Sequence, residues 1–127
     1  MKIFGIGTDI IKINRIKKSM KRKSFVNRLY NEKEVIKCKK LKNSFNCFAK
    51  RFAAKEAFSK ALGTGIAKGI NFNEIIILNE KSGKPYIKLI GNTKSIVERK
   101  LKKKNFRTSL SLTDEDKYAV AFVTISV

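Results

Sequence analysis

Residues 45–63 read FNCFAKRFAAKEAFSKALG, and this stretch decides the fold. Phe45, Phe48 and Phe52 recur at helical spacing, and the alanines at positions 49, 53, 57 and 61 continue the same apolar stripe. Gly63 follows at once and suits the left-handed residue that ends many helices. The sequence therefore predicts a long central helix over 45–62, anchored by its apolar face.

The segments around this helix predict short strands and helices. A run of small and branched residues at 3–11 indicates a strand, and Asn31 is placed to cap a helix through about Lys40. The remaining predictions are basic helical turns at 12–29, a hairpin with strands at 72–79 and 86–90, a helix at 93–104, and strands at 106–112 and 118–127 joined by a turn at 113–117. This order predicts a single α+β domain over 1–127 with a small antiparallel sheet.

Composition excludes several classes of protein. The chain has 127 residues, 43% of them hydrophobic, with no apolar run long enough to span a bilayer. Its start lacks the features of a signal peptide, so we expect a cytoplasmic protein without a membrane partner. Cys38 and Cys47 are then expected to be free thiols. With no histidine in the chain, any metal must be held by carboxylates and water, which favours Mg²⁺ or Mn²⁺.

The net charge of +20 has two interpretations. One is a polyanionic partner such as nucleic acid, an acidic protein or a phosphorylated cofactor. The other is compositional drift, because Lys, Asn and Ile together are abundant, as an AT-rich coding bias would produce. Net charge alone does not separate them.

The central helix carries a polar face suited to phosphate chemistry. Glu56, Ser59 and Lys60 share one face, and Arg51 and Lys55 form a neighbouring stripe. A carboxylate beside cations supplies a hard oxygen ligand for Mg²⁺ and positive donors for phosphate oxygens. The simpler alternative is a solvated Glu56–Lys60 ion pair.

Two further features are weaker. Asp9 lies among glycines near the end of the first strand, where it can point into a cleft or cap the next turn. The turn at 63–65 can bring backbone close to a phosphate, or simply end the helix. The turn at 83–85 is ordinarily a hairpin turn.

Taken together, these segments resemble the holo-acyl-carrier-protein synthases. The opening GIGTDI at 5–10 followed by Arg15-Ile16, the central RFAAKEAFSKA at 51–61 and GTGI at 63–66 match this family's motifs. Gly83-Lys84-Pro85, Ser109-Leu110-Ser111 and Tyr118-Ala119-Val120-Ala121 match its later landmarks in order. The resemblance spans nearly the whole chain.

The resemblance implies a Mg²⁺-dependent enzyme of fatty acid biosynthesis with the 4′-phosphopantetheinyl transferase fold. It would move the 4′-phosphopantetheine arm of coenzyme A to a serine of apo-acyl carrier protein and release adenosine 3′,5′-bisphosphate. Asp9 and Glu56 would hold the metal, and Lys60 would lie against the pyrophosphate as a catalytic residue with Glu56. Coenzyme A would also contact Arg51, Gly63, Gly83, Lys84 and Pro85. Family members are homotrimers with sites between subunits.

The resemblance also implies a function for the basic segment at 12–29. Arg15, Lys18 and Arg22 would share one helical face and dock the acidic helices of the carrier protein. The simpler alternative is that these residues are merely solvated.

One departure from the family concerns the general base. Many members carry His after the Ser-x-Ser segment, where this chain has Leu112. The base is then Glu56 through a metal-bound water, bulk solvent, or less favourably Asp114. The departure also keeps open an inactive scaffold descended from the enzyme.

An alternative from another class is a basic RNA-binding module. It would explain the net charge and would use Phe25, Tyr30, Phe45 and Phe48 for stacking. The chain carries no recognised RNA-binding motif, and the aromatics from Phe45 onward follow the core stripe, so we predict no nucleic acid partner.

Overall fold

The computed structural model describes residues 1–63 and 69–127. A short 3-10 turn at Phe72–Glu74 precedes the second strand. The other elements, in chain order, are β1 (Ile3–Lys12), α1 (Ile13–Ser19), α2 (Lys23–Leu29), α3 (Glu32–Lys39), α4 (Ser44–Leu62), β2 (Ile75–Asn79), β3 (Pro85–Leu89), α5 (Gly91–Leu101), β4 (Arg107–Glu115) and β5 (Tyr118–Ser126).

The strands form two antiparallel sheets, which confirms the α+β prediction. One sheet has the order β1-β5-β4, and the other is the β2-β3 hairpin. Helix α4 packs on β1 and β5, and the alternate residues of β5 that face it are fully buried: Ala119, Ala121, Val123 and Ile125. The core therefore lies between α4 and one face of the larger sheet. No helix in the described ranges has the length and apolarity needed to cross a membrane.

Local signals placed most elements correctly. Asn31 caps α3, accepting from the Lys33 amide while Glu34 accepts from the Asn31 amide, which is a capping box. Helix α5 ends at Leu101, earlier than predicted, because Lys102 adopts φ 55° and the lysine run lies beyond the helix. Strand β4 continues to Glu115, so the predicted turn at 113–117 is shorter.

Strand β1 lies directly on the backbone of α4. A methyl group added at Gly5 would overlap the Ala61 carbonyl, and one added at Gly7 would overlap the Ala57 carbonyl. Only glycine leaves room for backbone this close, and alanine on the helix side keeps the gap small. The contact fixes the position of β1 along α4.

A buried ion pair ties the helices beside the core, and it corrects one sequence prediction. Lys55, expected on a phosphate-facing stripe with Arg51, is fully buried and pairs with Glu34 at 2.6 Å. Its ammonium also donates to the carbonyls of Leu29 at 2.6 Å and Phe72 at 2.8 Å. Burial lowers the pKa of Lys55 to about 8, although Glu34 opposes that shift. Lys55 therefore holds α2, α3 and the 3-10 turn around α4 and is unavailable to a phosphate.

The prediction of free thiols is wrong. Cys38 of α3 and Cys47 of α4 form a disulfide, with their Cα atoms 5.5 Å apart. The expectation rested on the cytoplasmic assignment. It could not include tertiary packing, which brings the end of α3 against the first turns of α4.

We expect Gly7→Ala to destabilise the fold by about 1–3 kcal/mol, because the added methyl pushes β1 away from α4. Urea denaturation measures this as a lower midpoint at unchanged slope. Lys88→Ala, at an exposed position of β3, is the matched control and should shift the midpoint little. A Gly7→Ala midpoint equal to that of the wild type would show that the strand has room to move.

Candidate active site

The structure brings Asp9, Glu56 and Lys60 together where β1 crosses α4. The Lys60 ammonium lies 3.2 Å from an Asp9 carboxylate oxygen and donates to the Thr8 carbonyl at 2.9 Å. Glu56 precedes Lys60 by one turn on the same helix face. The glycine contact described above sets this arrangement, because it fixes where Asp9 falls along α4.

The electrostatics of this group favour an added cation. Half-burial raises the pKa of Glu56, the Asp9 charge raises that pKa further, and Lys60 opposes both effects. Two carboxylates that repel each other beside open solvent are relieved when a divalent ion lies between them.

The donor set at this group fits Mg²⁺. Carboxylate oxygens are the ligands this ion prefers, and it usually keeps waters and substrate phosphates in its remaining positions. The described ranges hold no cluster of three or more Asp, Glu, His or Cys side chains able to bind a metal. Asp9 and Glu56 would thus supply part of an octahedron and leave the rest to water and substrate.

A second site is a basic cleft of about 660 Å³ that lies between α3, α4 and the β2-β3 turn. Among the residues that line it are five cations, Lys37, Lys42, Lys50, Arg51 and Lys81, against two acids, Glu80 and Asp114. Gly83 and Pro85, predicted to contact coenzyme A, line the same cleft, and Lys84 lies exposed between them. The size and charge of this basic cleft suit a phosphorylated nucleotide.

Arg51 forms part of the floor of the basic cleft. Its side chain donates to the Asn79 amide oxygen at 2.8 Å and to the Cys47 sulfur at 3.2 Å, while its Nε has no partner. With only 4% of its surface exposed, Arg51 is a fixed buried charge at this position.

The two groups lie on opposite sides of α4. Arg51 precedes Lys60 by nine residues, which is two and a half turns, so the two side chains leave opposite sides of the helix about 13.5 Å apart along its axis. The structure therefore does not join Arg51, Gly83 and Pro85 with Asp9, Glu56 and Lys60 in one site within this chain.

Two other residues of the central motif differ from expectation. Ser59 is buried and donates to the Lys55 carbonyl at 3.1 Å, so it does not share an open face with Glu56. Gly63 ends α4 in the left-handed conformation with φ 84°, as predicted for a cap. Thr64 and Gly65 of the proposed phosphate turn lie outside the described residues.

The predicted docking residues are exposed, but they do not form one helical face. Arg15 and Lys18 project from α1, which ends at Ser19, and Arg22 precedes α2 as its N-cap residue. The prediction of one helical face through Arg22 is wrong because the chain breaks the helix at Met20.

The residues around the missing histidine are not free bases. Leu112 is half-buried and packs against the core beside the basic cleft. Asp114 accepts from the Asn46 amide at 2.7 Å and pairs with Lys50 at 3.0 Å. These contacts, the Asn46 hydrogen bond foremost, lower the pKa of Asp114 and reduce its basicity.

The aromatic residues of the RNA-binding alternative lie mainly in the core. Phe25, Tyr30 and Phe48 are at most 8% exposed, and the Tyr30 hydroxyl donates to the Phe48 carbonyl. Phe45 is partly buried beneath the Lys17 ammonium. Buried rings cannot stack on bases, so this arrangement does not support that alternative.

Sequence reasoning missed most of the basic cleft. Lys37, Lys42 and Lys50 were not singled out, because each is one lysine among many. One signal in the sequence could have indicated this side of α4. Asn46 and Lys50 are polar residues four positions apart, so they share one helix face, and in the structure both contact Asp114.

Comparisons with known proteins identify the family. A family model described as the 4′-phosphopantetheinyl transferase superfamily matches residues 5–123. The holo-[acyl-carrier-protein] synthases of Pelagibacter ubique and Vibrio campbellii are 45% and 47% identical to this chain, covering 98% and 97% of both chains.

Solved structures agree with the sequence relatives. The holo-[acyl-carrier-protein] synthase of Neisseria meningitidis superposes with a TM-score of 0.88 at 36% identity, covering 98% of this chain and 99% of its own. The Bacillus anthracis synthase in complex with CoA (3′,5′-ADP) superposes at 0.80 with 36% identity, covering 99% and 98%. With its acid pair, basic cleft and matching fold, the chain belongs to the 4′-phosphopantetheinyl transferase superfamily.

Proposed function

We propose that this protein transfers the 4′-phosphopantetheine arm of coenzyme A to a serine of apo-acyl carrier protein. Adenosine 3′,5′-bisphosphate leaves, and the reaction needs Mg²⁺. The observation that carries the proposal is the group of Asp9, Glu56 and Lys60 beside the glycine contact. The choice of substrates is supported by relatives that are holo-[acyl-carrier-protein] synthases, and one of these was solved in complex with CoA (3′,5′-ADP).

Each residue of this group has a distinct task. Asp9 and Glu56 would hold Mg²⁺, and the ion would supply Lewis-acid stabilisation of phosphate charge. The Lys60 side chain is 54% exposed and can turn from Asp9 toward the leaving phosphate, where its charge stabilises the developing anion. Positioning and charge are most of what phosphoryl-type transfer needs, so no histidine is required.

The acceptor serine must lose a proton, and Glu56 is the best-placed group to receive it. An intervening water can relay the serine proton to the Glu56 carboxylate. Asp114 is disfavoured because Asn46 and Lys50 hold its carboxylate. Bulk solvent remains the competing acceptor.

We place the nucleotide end of coenzyme A in the basic cleft of a neighbouring subunit. Arg51 and Pro85 line that cleft on the opposite side of α4 from Lys60, so one chain supplies only half of the site. A second copy of the chain supplies the other half if the subunits meet across the outer face of the larger sheet.

That outer face is apolar and suits self-association. Ile6 and Ile10 of β1 are 60% and 64% exposed, and Phe122 of β5 is 43% exposed and pairs with Thr8. An exposed apolar patch of this kind marks an interface, and we assign it to a homotrimer of this chain.

Activity is tested by the mass that apo-carrier protein gains with coenzyme A and Mg²⁺. We expect Glu56→Gln to lower kcat by about 10²–10³-fold, because a neutral amide holds the metal poorly and cannot accept the proton. Chelation should abolish transfer, and added Mg²⁺ should restore it.

Glu98→Gln removes a carboxylate from α5, away from the acid pair, and should leave the rate unchanged. Transfer by Glu56→Gln at the wild-type rate would contradict the role of Glu56. No mass gain by the wild type would favour the inactive scaffold instead.

Carrier docking is tested by charge reversal. We expect Arg15→Glu to raise the KM for carrier protein about tenfold while the KM for coenzyme A stays within twofold, because Arg15 faces the acidic partner. Lys88→Glu makes the same change in net charge on exposed β3 and should leave both values unchanged. If Arg15→Glu changed the KM for carrier protein and the KM for coenzyme A equally, the proposed docking surface would be contradicted.

Self-association is tested at the outer face of the larger sheet. We expect Phe122→Lys to yield monomers in sedimentation and to lose activity, because a buried unpaired charge opposes the contact. Tyr86→Lys changes an exposed aromatic on the other sheet, 39% exposed, and should stay assembled. An assembled, active Phe122→Lys protein would place the interface elsewhere.

A further inference from the structure

The Cys38–Cys47 disulfide joins the two helices that form the basic cleft. Cys38 lies near the end of α3 and Cys47 in the first turns of α4, and the connection between them is exposed. Cys38 is fully buried and Cys47 is 4% exposed, so the bond lies beneath the surface. No step of the proposed reaction uses either sulfur.

The walls of the basic cleft follow these two helices. Lys37, which lines one side, is the residue before Cys38, and Asn46 and Lys50 line the other side around Cys47. Cys47 itself lines the cleft, and its sulfur accepts from Arg51 at 3.2 Å. The disulfide therefore links both walls of the cleft and contacts the buried cation between them.

We propose that the Cys38–Cys47 pair is a redox modification site that sets the affinity of the basic cleft for a phosphorylated nucleotide. This proposal rests on the proposed function only in taking the cleft as the nucleotide site. Disulfides inside cells, where they occur, are commonly transient and redox-sensing, which fits a bond placed at a binding site.

The chemistry is thiol–disulfide exchange with a dithiol reductant. A thiolate of the reductant attacks the Cys47 sulfur, the one that lines the cleft, and Cys38 leaves as a thiolate and takes a proton. The second thiol of the reductant then attacks the mixed disulfide, forms its own disulfide and releases Cys47. Two electrons and two protons pass to the protein, and a low-molecular-weight disulfide reverses the exchange.

The disulfide form should bind the nucleotide more tightly. The covalent link holds Lys37 close to Arg51 before the ligand arrives, whereas the dithiol form must order both walls on binding. We expect reduction to weaken nucleotide binding about tenfold. Because coupling between two sites is reciprocal, nucleotide must then make the disulfide harder to reduce by the same factor, which is about 30 mV.

Calorimetry with adenosine 3′,5′-bisphosphate tests the proposal on the full-length protein in both redox states. This probe has no thiol, so it cannot reduce the bond as coenzyme A would. Alkylation and mass measurement report the state of each sample. The expected result is a Kd about tenfold higher for the dithiol form.

Cys38→Ala is the matched variant, since it removes the bond and keeps the Cys47 sulfur beside Arg51. It should bind like the reduced wild type and ignore reductant. A redox titration of the wild type with and without nucleotide gives the same information if that variant fails to fold.

Three results would overturn the proposal. They are equal Kd values in both states, a reduction midpoint unmoved by nucleotide, and two alkylatable thiols after treatment with a low-molecular-weight disulfide. Absence of binding in both states is a distinct result, because it removes the basic cleft as the nucleotide site and this proposal with it.

Discussion

The contact between β1 and α4 is the constraint on which the rest of the molecule depends. Two glycines, Gly5 and Gly7, let the strand rest on the helix backbone at Ala57 and Ala61. Side chains there would set strand and helix farther apart, as ordinary packing does. The close approach puts Asp9 beside a helix residue far away in the chain, so the acid pair depends on residues that carry no chemistry.

The fold was predictable where local rules act alone. The stripe of aromatic residues and alanines predicted helix α4, and Asn31 predicted the start of α3, where it forms a capping box. The sequence did not predict where α5 ends or that the helix breaks after Ser19. Tertiary contacts and local backbone conformation decide the ends of helices more than residue propensity does. The disulfide followed from the packing of α3 on α4, which a one-dimensional pattern does not contain.

The site was predictable in its parts and less so in its arrangement. Family resemblance supplied Asp9, Glu56 and Lys60, and the structure places them together. Helical geometry alone could have shown that Arg51 points away from Lys60, since nine residues make two and a half turns and so end on the opposite side of the helix. The burial of Lys55 had no such signal, because its partner Glu34 belongs to another helix and looked like an ordinary first-turn acid.

The Lys55–Glu34 pair limits which substitutions this protein can tolerate at the two positions. All three ammonium protons of Lys55 have acceptors, and the second oxygen of Glu34 accepts from the Ile77 amide at 3.1 Å. A flat guanidinium cannot direct donors to three acceptors arranged around a tetrahedral nitrogen, so arginine is a poor substitute. Replacing only one member of the pair leaves an unpaired charge in the interior, which is strongly destabilising. Replacing both with apolar residues leaves no buried charge. These two positions, which lie on different helices, can therefore be exchanged without a large loss of stability only when both change together.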